Sequence, residues 1–271
     1  MEEKKVIAPR GEVYYWISKN TEPGARCLVF LHGLSADHTL FEKQIEYFAP
    51  KHTVITWDAP AHGKSRPYRD FSYANAAADL CAILDAEGIN RAVMIGQSMG
   101  GYVIQSFLQK YPERAEAFVA IDSCPFGTGY YSKSDMWWLR QIEWMSMCYP
   151  HKLLVKSLAK QCTATERGYE NMLAALAPYG KRELCALMGL GYAGFLKENR
   201  DIKINCPVLL LVGESDVTGK VRQYNEAWHA REGYPLHIIE NAAHNSNIDN
   251  PERVNALIDE FLSTLNTPED K

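Results

Sequence analysis

Six short apolar or β-branched runs, each closed by small or polar residues, set the architecture of this chain: Leu28–Leu31, Val54–Trp57, Ala92–Ile95, Phe118–Ile121, Val208–Val212 and Leu236–Ile239. Runs this short and this nearly continuous suit strands covered on both faces. Longer stretches of helical period lie between them. Val254, Leu257, Ile258, Phe261, Leu262 and Leu265 recur at i, i+3, i+4, i+7, i+8 and i+11, behind Asn250 as N-cap and Pro251 at the first helical position. Val103, Ile104, Phe107, Leu108 and Tyr111 form a second stripe that ends before Pro112. Such alternation predicts right-handed crossovers and an α/β fold with a mostly parallel sheet. Glu12–Ile17 is expected as an antiparallel edge strand.

The alternation fails once. Between Cys124 and Asn205 there is no convincing strand, only weakly amphipathic helical pieces punctuated by Gly and Pro. The stretch divides the chain into a sheet domain over 1–123 and 206–271 and a helical insertion, or cap, over 124–205. A length of 271 residues accommodates one domain with such an insertion. No internal repeat is visible, and only Thr267–Lys271 reads as frayed.

Composition narrows the function classes. A formal charge of −4 gives no electrostatic footprint for nucleic acid or an anionic membrane. No apolar stretch approaches the roughly 18 residues that span a bilayer. Met1-Glu2-Glu3-Lys4-Lys5 has no apolar h-region behind it, so no secretory signal is read there. The seven cysteines are scattered and contain no C-x-x-C pair, which disfavours a zinc site and a disulfide framework. The expectation is a reduced, cytoplasmic protein.

Gly96-Gln97-Ser98-Met99-Gly100-Gly101 is the sharpest local signal, directly after one apolar run and directly before a helical stripe. A serine on such a strained strand-to-helix turn has its hydroxyl lifted above the sheet, and its neighbours two places away must lack bulk. Serine needs a base and an orienting carboxylate to act as a nucleophile at neutral pH. Both are expected downstream, after later strands. Val208–Val212 leads into Gly213-Glu214-Ser215-Asp216, and Leu236–Ile239 into Asn241-Ala242-Ala243-His244. The gaps are 118 residues from Ser98 to Asp216 and 28 from Asp216 to His244. Each group therefore falls at the carboxyl edge of a parallel sheet, where open α/β folds place their sites. Glu214 and Asp122 are the rival carboxylates. The amides of Met99 and of Leu34, in the His32-Gly33-Leu34 loop, are the candidate oxyanion donors. His32 reads as a brace for that loop.

With these residues in place the sequence resembles the α/β-hydrolase fold family, and within it the capped serine hydrolases of carboxylesterase type. The matching motifs are Leu31-His32-Gly33, Trp57-Asp58-Ala59-Pro60-Ala61-His62-Gly63-Lys64-Ser65, Gly96-Gln97-Ser98-Met99-Gly100-Gly101, Gly213-Glu214-Ser215-Asp216 and His244. The resemblance implies an eight-stranded, mostly parallel sheet flanked by helices, with a helical cap after strand six. It also implies a Ser98–His244–Asp216 triad, an oxyanion hole from Leu34 and Met99, and neither cofactor nor metal. Ala61 departs from the family pattern, standing where a glycine is common. Haloalkane dehalogenases and soluble epoxide hydrolases of this fold carry Asp at the nucleophile, and Ser98 argues against both.

The substrate is far less constrained. Tyr130, Trp137, Trp138 and Trp144 are candidate binding residues in the cap, which is rich in aromatics and methionines. Residues 125–200 carry ten Lys/Arg against six Asp/Glu, a balance suited to an anionic substrate. The expected activity is a carboxylesterase for small to medium esters, with only substrate and water as partners and neither nucleic acid nor membrane. C–C bond hydrolysis or lactone opening by the same triad is the alternative. A hydrolase-fold ligand receptor with little turnover is the alternative of another class. An apolar cap surface could support a homodimer.

Overall fold

A computed structural model describes residues 1–265, so the Thr267–Lys271 tail lies outside the described residues. The strands are β1 (Glu2–Ala8), β2 (Gly11–Ser18), β3 (Cys27–Leu31), β4 (Thr53–Trp57), β5 (Ala92–Gln97), β6 (Ala115–Ile121), β7 (Val208–Gly213) and β8 (Leu236–Ile239). They form one eight-stranded sheet in the order β1-β2-β4-β3-β5-β6-β7-β8. Pairing is antiparallel from β1 through β2 to β4 and parallel everywhere else. All six apolar runs are strands of the parallel part or its immediate neighbours.

One expectation needs correcting. Glu12–Ile17 lies in β2, which is antiparallel as expected but paired on both sides; the edge is β1. β1 reads Glu-Glu-Lys-Lys-Val-Ile-Ala and leaves every second side chain exposed. Charged side chains on an outermost strand block pairing with other chains. The same charges remove the apolar signal by which the other strands are recognised.

Alternate residues of each central strand point to opposite faces, so each run feeds two cores. Val29, Leu31, Ile55 and Trp57 pack on one face, against α2 (Tyr73–Ala86, after α1 over Glu42–Phe48) and α3 (Met99–Lys110). Leu28, Phe30, Val54, Val93 and Ile95 pack on the other. Five α-helices and no strand lie between β6 and β7: α4 (Lys133–Leu139), α5 (Ile142–Met147), α6 (His151–Cys162), α7 (Glu166–Leu176) and α8 (Lys181–Glu198). This is the helical cap region after β6. Leu154, Ala159, Met172, Leu176 and Leu184 from α6–α8 belong to the same apolar cluster as Leu28 and Phe30. Cap and sheet thus share a core on that side.

The last helices are α9 (Val221–Glu232), the short α10 (Ser246–Asp249) and α11 (Pro251–Ser263). Asn250 caps α11 by accepting the Arg253 N–H, with Pro251 at the first helical position, and Val254, Leu257, Ile258 and Leu262 are buried as the periodicity requires.

Candidate active site

Ser98 occupies the turn between β5 and α3 with φ 48° and ψ −113°, a conformation costly for any residue with a side chain. Its neighbours hold it there. The Ser98 N–H donates to Ile121 O (2.9 Å), while its own carbonyl accepts from the Gly101 N–H (3.0 Å) and the Ser123 hydroxyl (2.7 Å). Such a turn fits only if the flanking residues are small. A Cβ on Gly96 would stand 2.6 Å from the Gly100 carbonyl carbon, and one on Gly100 would collide with the Leu31 carbonyl oxygen. The same packing brings α3 end-on to Ser98, with its dipole favouring negative charge there.

The three side chains expected to act together converge. His244 Nε2 lies 2.9 Å from Ser98 Oγ, and His244 Nδ1 lies 2.8 Å from Asp216 Oδ2. The second Asp216 oxygen accepts the Thr218 N–H (2.8 Å). An ionised carboxylate is acceptor-only, so His244 Nδ1 is the donor and the neutral imidazole presents a lone pair at Nε2 to the serine hydroxyl. Burial lowers the His244 pKa, but the charge and hydrogen bond of Asp216, with the charge of Asp122, outweigh it and leave it raised.

Neither rival carboxylate bonds to His244. Glu214 is exposed and accepts the Asn241 N–H (3.2 Å). Asp122, fully buried, accepts the Gly213 N–H (2.7 Å) and the Ser246 N–H (2.9 Å) and so ties β7 to the loop after His244. Burial and the nearby Asp216 charge push its pKa up.

The β3 loop lies against the nucleophile turn, since a Cβ on Gly33 would stand 3.1 Å from Ser98 Cβ. The amides of Leu34 and Met99 donate to no acceptor among the described residues. His32, fully buried, donates from Nδ1 to Gly33 O (2.7 Å) and accepts the Ala59 N–H at Nε2 (2.9 Å), joining the loops after β3 and β4. Burial pushes its pKa down, and that of His62 down to about 3. Asp37, His38 and Asp58 bring ligand-type atoms within 4.8 Å of one another, but Asp37 caps a turn and Asp58 accepts from His38 and the Lys64 N–H.

Ala61 sits in the β4 loop at φ +67°, so the departure from glycine is a strained residue in a left-handed position. Ala61→Gly is expected to raise the unfolding free energy by up to about 1 kcal/mol and Tm by about 2 °C, since the strain relieved slightly exceeds the added freedom of the unfolded chain. A lower Tm in thermal denaturation would show that the loop accommodates alanine without cost.

The cap aromatics singled out from the sequence lie apart from this cluster. Trp137, Trp138 and Trp144 are 51%, 54% and 57% exposed, and Trp144 donates to Gln141 Oε1. Tyr130 lies beneath the Arg231 guanidinium, in a pocket it shares with Trp228 and Tyr234. No hydrogen bond or ring contact links any of the four to Ser98, Asp216 or His244 among the described residues. The cap reaches the site through α8 instead. Gly191 packs against the Leu34 side chain, and Tyr192 feels Cys162, Cys124 and Asp216, which with burial push its phenol up to about 12. Sequence reasoning also passed over Gln97, whose buried amide donates to His244 O (2.7 Å) and Asn245 Oδ1 (3.1 Å). Its place beside Ser98 was the available signal.

Comparison with known proteins agrees with the fold. A family model described as alpha/beta hydrolase fold matches residues 27–147. The 3-oxoadipate enol-lactonase 1 of Acinetobacter baylyi is 24% identical over 265 residues, spanning 91% of this chain and 92% of that one. A thermophilic esterase from Thermogutta terrifontis superposes with a TM-score of 0.77 at 21% identity, over 97% of this chain and 99% of that one. The carboxylesterase CesB of Bacillus subtilis does so with a TM-score of 0.74 at 22% identity, over 96% and 91%. These structural likenesses are of fold.

Proposed function

Because the chain belongs to the alpha/beta hydrolase fold family, we propose that it is a serine hydrolase, a carboxylesterase acting on small to medium esters. The observation that carries this reading is the unbroken relay from Asp216 through His244 to Ser98, at 2.8 and 2.9 Å. His244 Nε2 takes the Ser98 proton as Oγ attacks the ester carbonyl. Asp216 holds the imidazole in the accepting tautomer and stabilises the imidazolium that forms. The Leu34 and Met99 amides receive the developing oxyanion at the positive end of α3. His244 then protonates the leaving alkoxide, and the same base activates water to cleave the acyl-enzyme. Nothing in this sequence of steps calls for a cofactor or metal. The cap over 124–205 closes over a catalytic domain made of 1–123 and 206–271.

Lactone opening is the second reading. It needs the same attack on a cyclic ester, and the likeness to an enol-lactonase over about nine-tenths of both chains favours it. Among the described residues no helix is long and apolar enough to cross a membrane.

A panel of esters, thioesters and lactones graded in acyl length and charge tests both. Saturable hydrolysis of short neutral esters supports the esterase, and a kcat/KM at least tenfold higher for lactones than for matched linear esters selects the lactonase. Higher kcat/KM for carboxylated than for neutral esters is expected from the basic cap, and equal values would remove that expectation. Absence of turnover together with absence of labelling by a fluorophosphonate would leave a ligand-binding protein.

A further inference from the structure

The loop that carries His244 is held from outside the relay at three successive backbone positions. The middle one is His244 itself, whose carbonyl accepts the Gln97 amide described above. The other two, Ala243 and Asn245, are both fastened to one turn of the cap, the link between α6 and α7. The Asn245 N–H donates to Cys162 O (2.8 Å). The Ala243 N–H donates to Asp249 Oδ2 (3.0 Å), and Asp249 reaches the cap in turn. Its Oδ2 accepts the Ala164 N–H (2.7 Å), and its Oδ1 accepts the Thr165 N–H (3.1 Å) and the Thr165 hydroxyl (2.7 Å).

One carboxylate therefore collects four hydrogens, three from the cap and one from the residue before the base. Its place favours a fixed position. Thr165 is the N-cap of α7, accepting the Gly168 N–H (3.1 Å), so Asp249 lies at the positive end of an 11-residue helix. Gly168 leaves room for it, since a Cβ there would stand 2.7 Å from Asp249 Oδ1. Hydrogen bonds to an ionised acceptor are short and strong, and several on one group fix it in both direction and distance.

From this arrangement, and resting on the reading of His244 as the general base, we infer that Asp249 is a positioning residue that couples the seat of the α6–α7 turn to the alignment of the His244 imidazole. Without it the cap keeps its apolar contacts with the sheet, but the base loses the register set at Ala243. A misplacement of about 1 Å costs a proton-transfer step on the order of 100-fold. The loss is expected on kcat, because Asp249 acts on the backbone beside the base and on the cap turn.

The test uses a small activated ester and a fluorophosphonate, with the full chain. Asp249→Ala is expected to lower kcat and the labelling rate constant together, by about 10- to 100-fold, with KM changed less than about threefold. Thr165→Val, which removes one cap-side donor together with the α7 N-cap bond to Gly168 and leaves the His244 loop untouched, is expected to do the same to a smaller extent, and Thr165→Ser, which keeps both bonds, to restore the wild-type rate. The double variant Asp249→Ala/Thr165→Val should be no slower than Asp249→Ala alone, because both break one connection. If Asp249→Ala does not fold, the two Thr165 variants carry the test. A wild-type kcat in folded Asp249→Ala or Thr165→Val protein, losses that multiply in the double variant, or a loss confined to KM would overturn the inference. Labelling of the wild type that disappears in Ser98→Ala belongs to the reading of the site, and an unlabelled wild type overturns that reading and this inference with it. A labelled wild type matched by Asp249→Ala overturns this inference alone.

Discussion

Ser98→Ala is expected to lower kcat/KM for a short ester by about 10⁴-fold or more while leaving the unfolding transition within about 1 °C of wild type. The two halves of this expectation have separate causes. Activity is lost because the alanine methyl cannot attack and His244 Nε2 is left without the proton it would take. A residual rate above water can survive, since amides at Leu34 and Met99 would still polarise a bound carbonyl. Stability is kept because the strained turn is imposed by its surroundings. Ile121, Gly101 and Ser123 hold the backbone of residue 98 whatever its side chain, and alanine is no more strained there than serine. Steady-state kinetics and calorimetry on the same preparation check both. Turnover within tenfold of wild type would remove Ser98 as nucleophile, and a large fall in Tm would make the lost activity uninformative.

Asp216→Asn has the second largest expected effect, about 10³- to 10⁴-fold on kcat/KM. The reason lies in what surrounds the carboxylate. One oxygen accepts the Thr218 N–H and the other faces His244 Nδ1. Asparagine has a single carbonyl oxygen, and the Thr218 N–H can only donate, so the oxygen stays with Thr218 and the amide NH2 turns to the imidazole. Nδ1 must then accept, the ring proton moves to Nε2, and the base confronts Ser98 with a donor. The pH profile carries a second signature. His244 must be neutral to act, so kcat/KM rises with pH through its pKa, which in the wild type lies above the usual value of about 6.5. Losing the Asp216 charge moves that midpoint to lower pH. Glu214→Gln should change neither rate nor midpoint by more than about twofold, since among the described residues the exposed Glu214 side chain accepts only the Asn241 N–H. An Asp216→Asn enzyme with wild-type rate and midpoint, or a large loss in Glu214→Gln, would reassign the acid.

What could be read in advance divides by the kind of physics involved. The parallel strands were legible because burial on both faces forces uninterrupted apolar runs, as at Val208–Val212. Ser98, Asp216 and His244 were legible because their strands deliver them to one edge, a consequence of topology that chain order records. The strand Glu2–Ala8 was hidden because an outermost strand must be polar to be safe. Gln97 and Asp249 were hidden because they act on backbone groups, and an acceptor for a main-chain amide leaves no spacing in the sequence. The orientation of the cap tryptophans was not legible either. Aromatic enrichment says that large surfaces exist there, but α4 and α5 have no strong periodicity to say which way they face.

The shared apolar cluster of α6–α8 and the sheet divides the cap into halves with different freedom to diverge. Leu154, Met172, Leu176 and Leu184 are wedged between the sheet domain and one another, so substitutions there disturb the catalytic scaffold as well as the cap. In α4 no side chain is buried, and in α5 only Ser146 is. Mutational drift at the exposed positions of Lys133–Met147, such as Trp137, Trp138 and Trp144, therefore carries little folding penalty, whereas Met136 and Leu139 pack against the core. A lineage of such chains can trial new surface chemistry at those exposed positions while the residues around Ser98 stay unchanged, and an engineer randomising this protein would begin there.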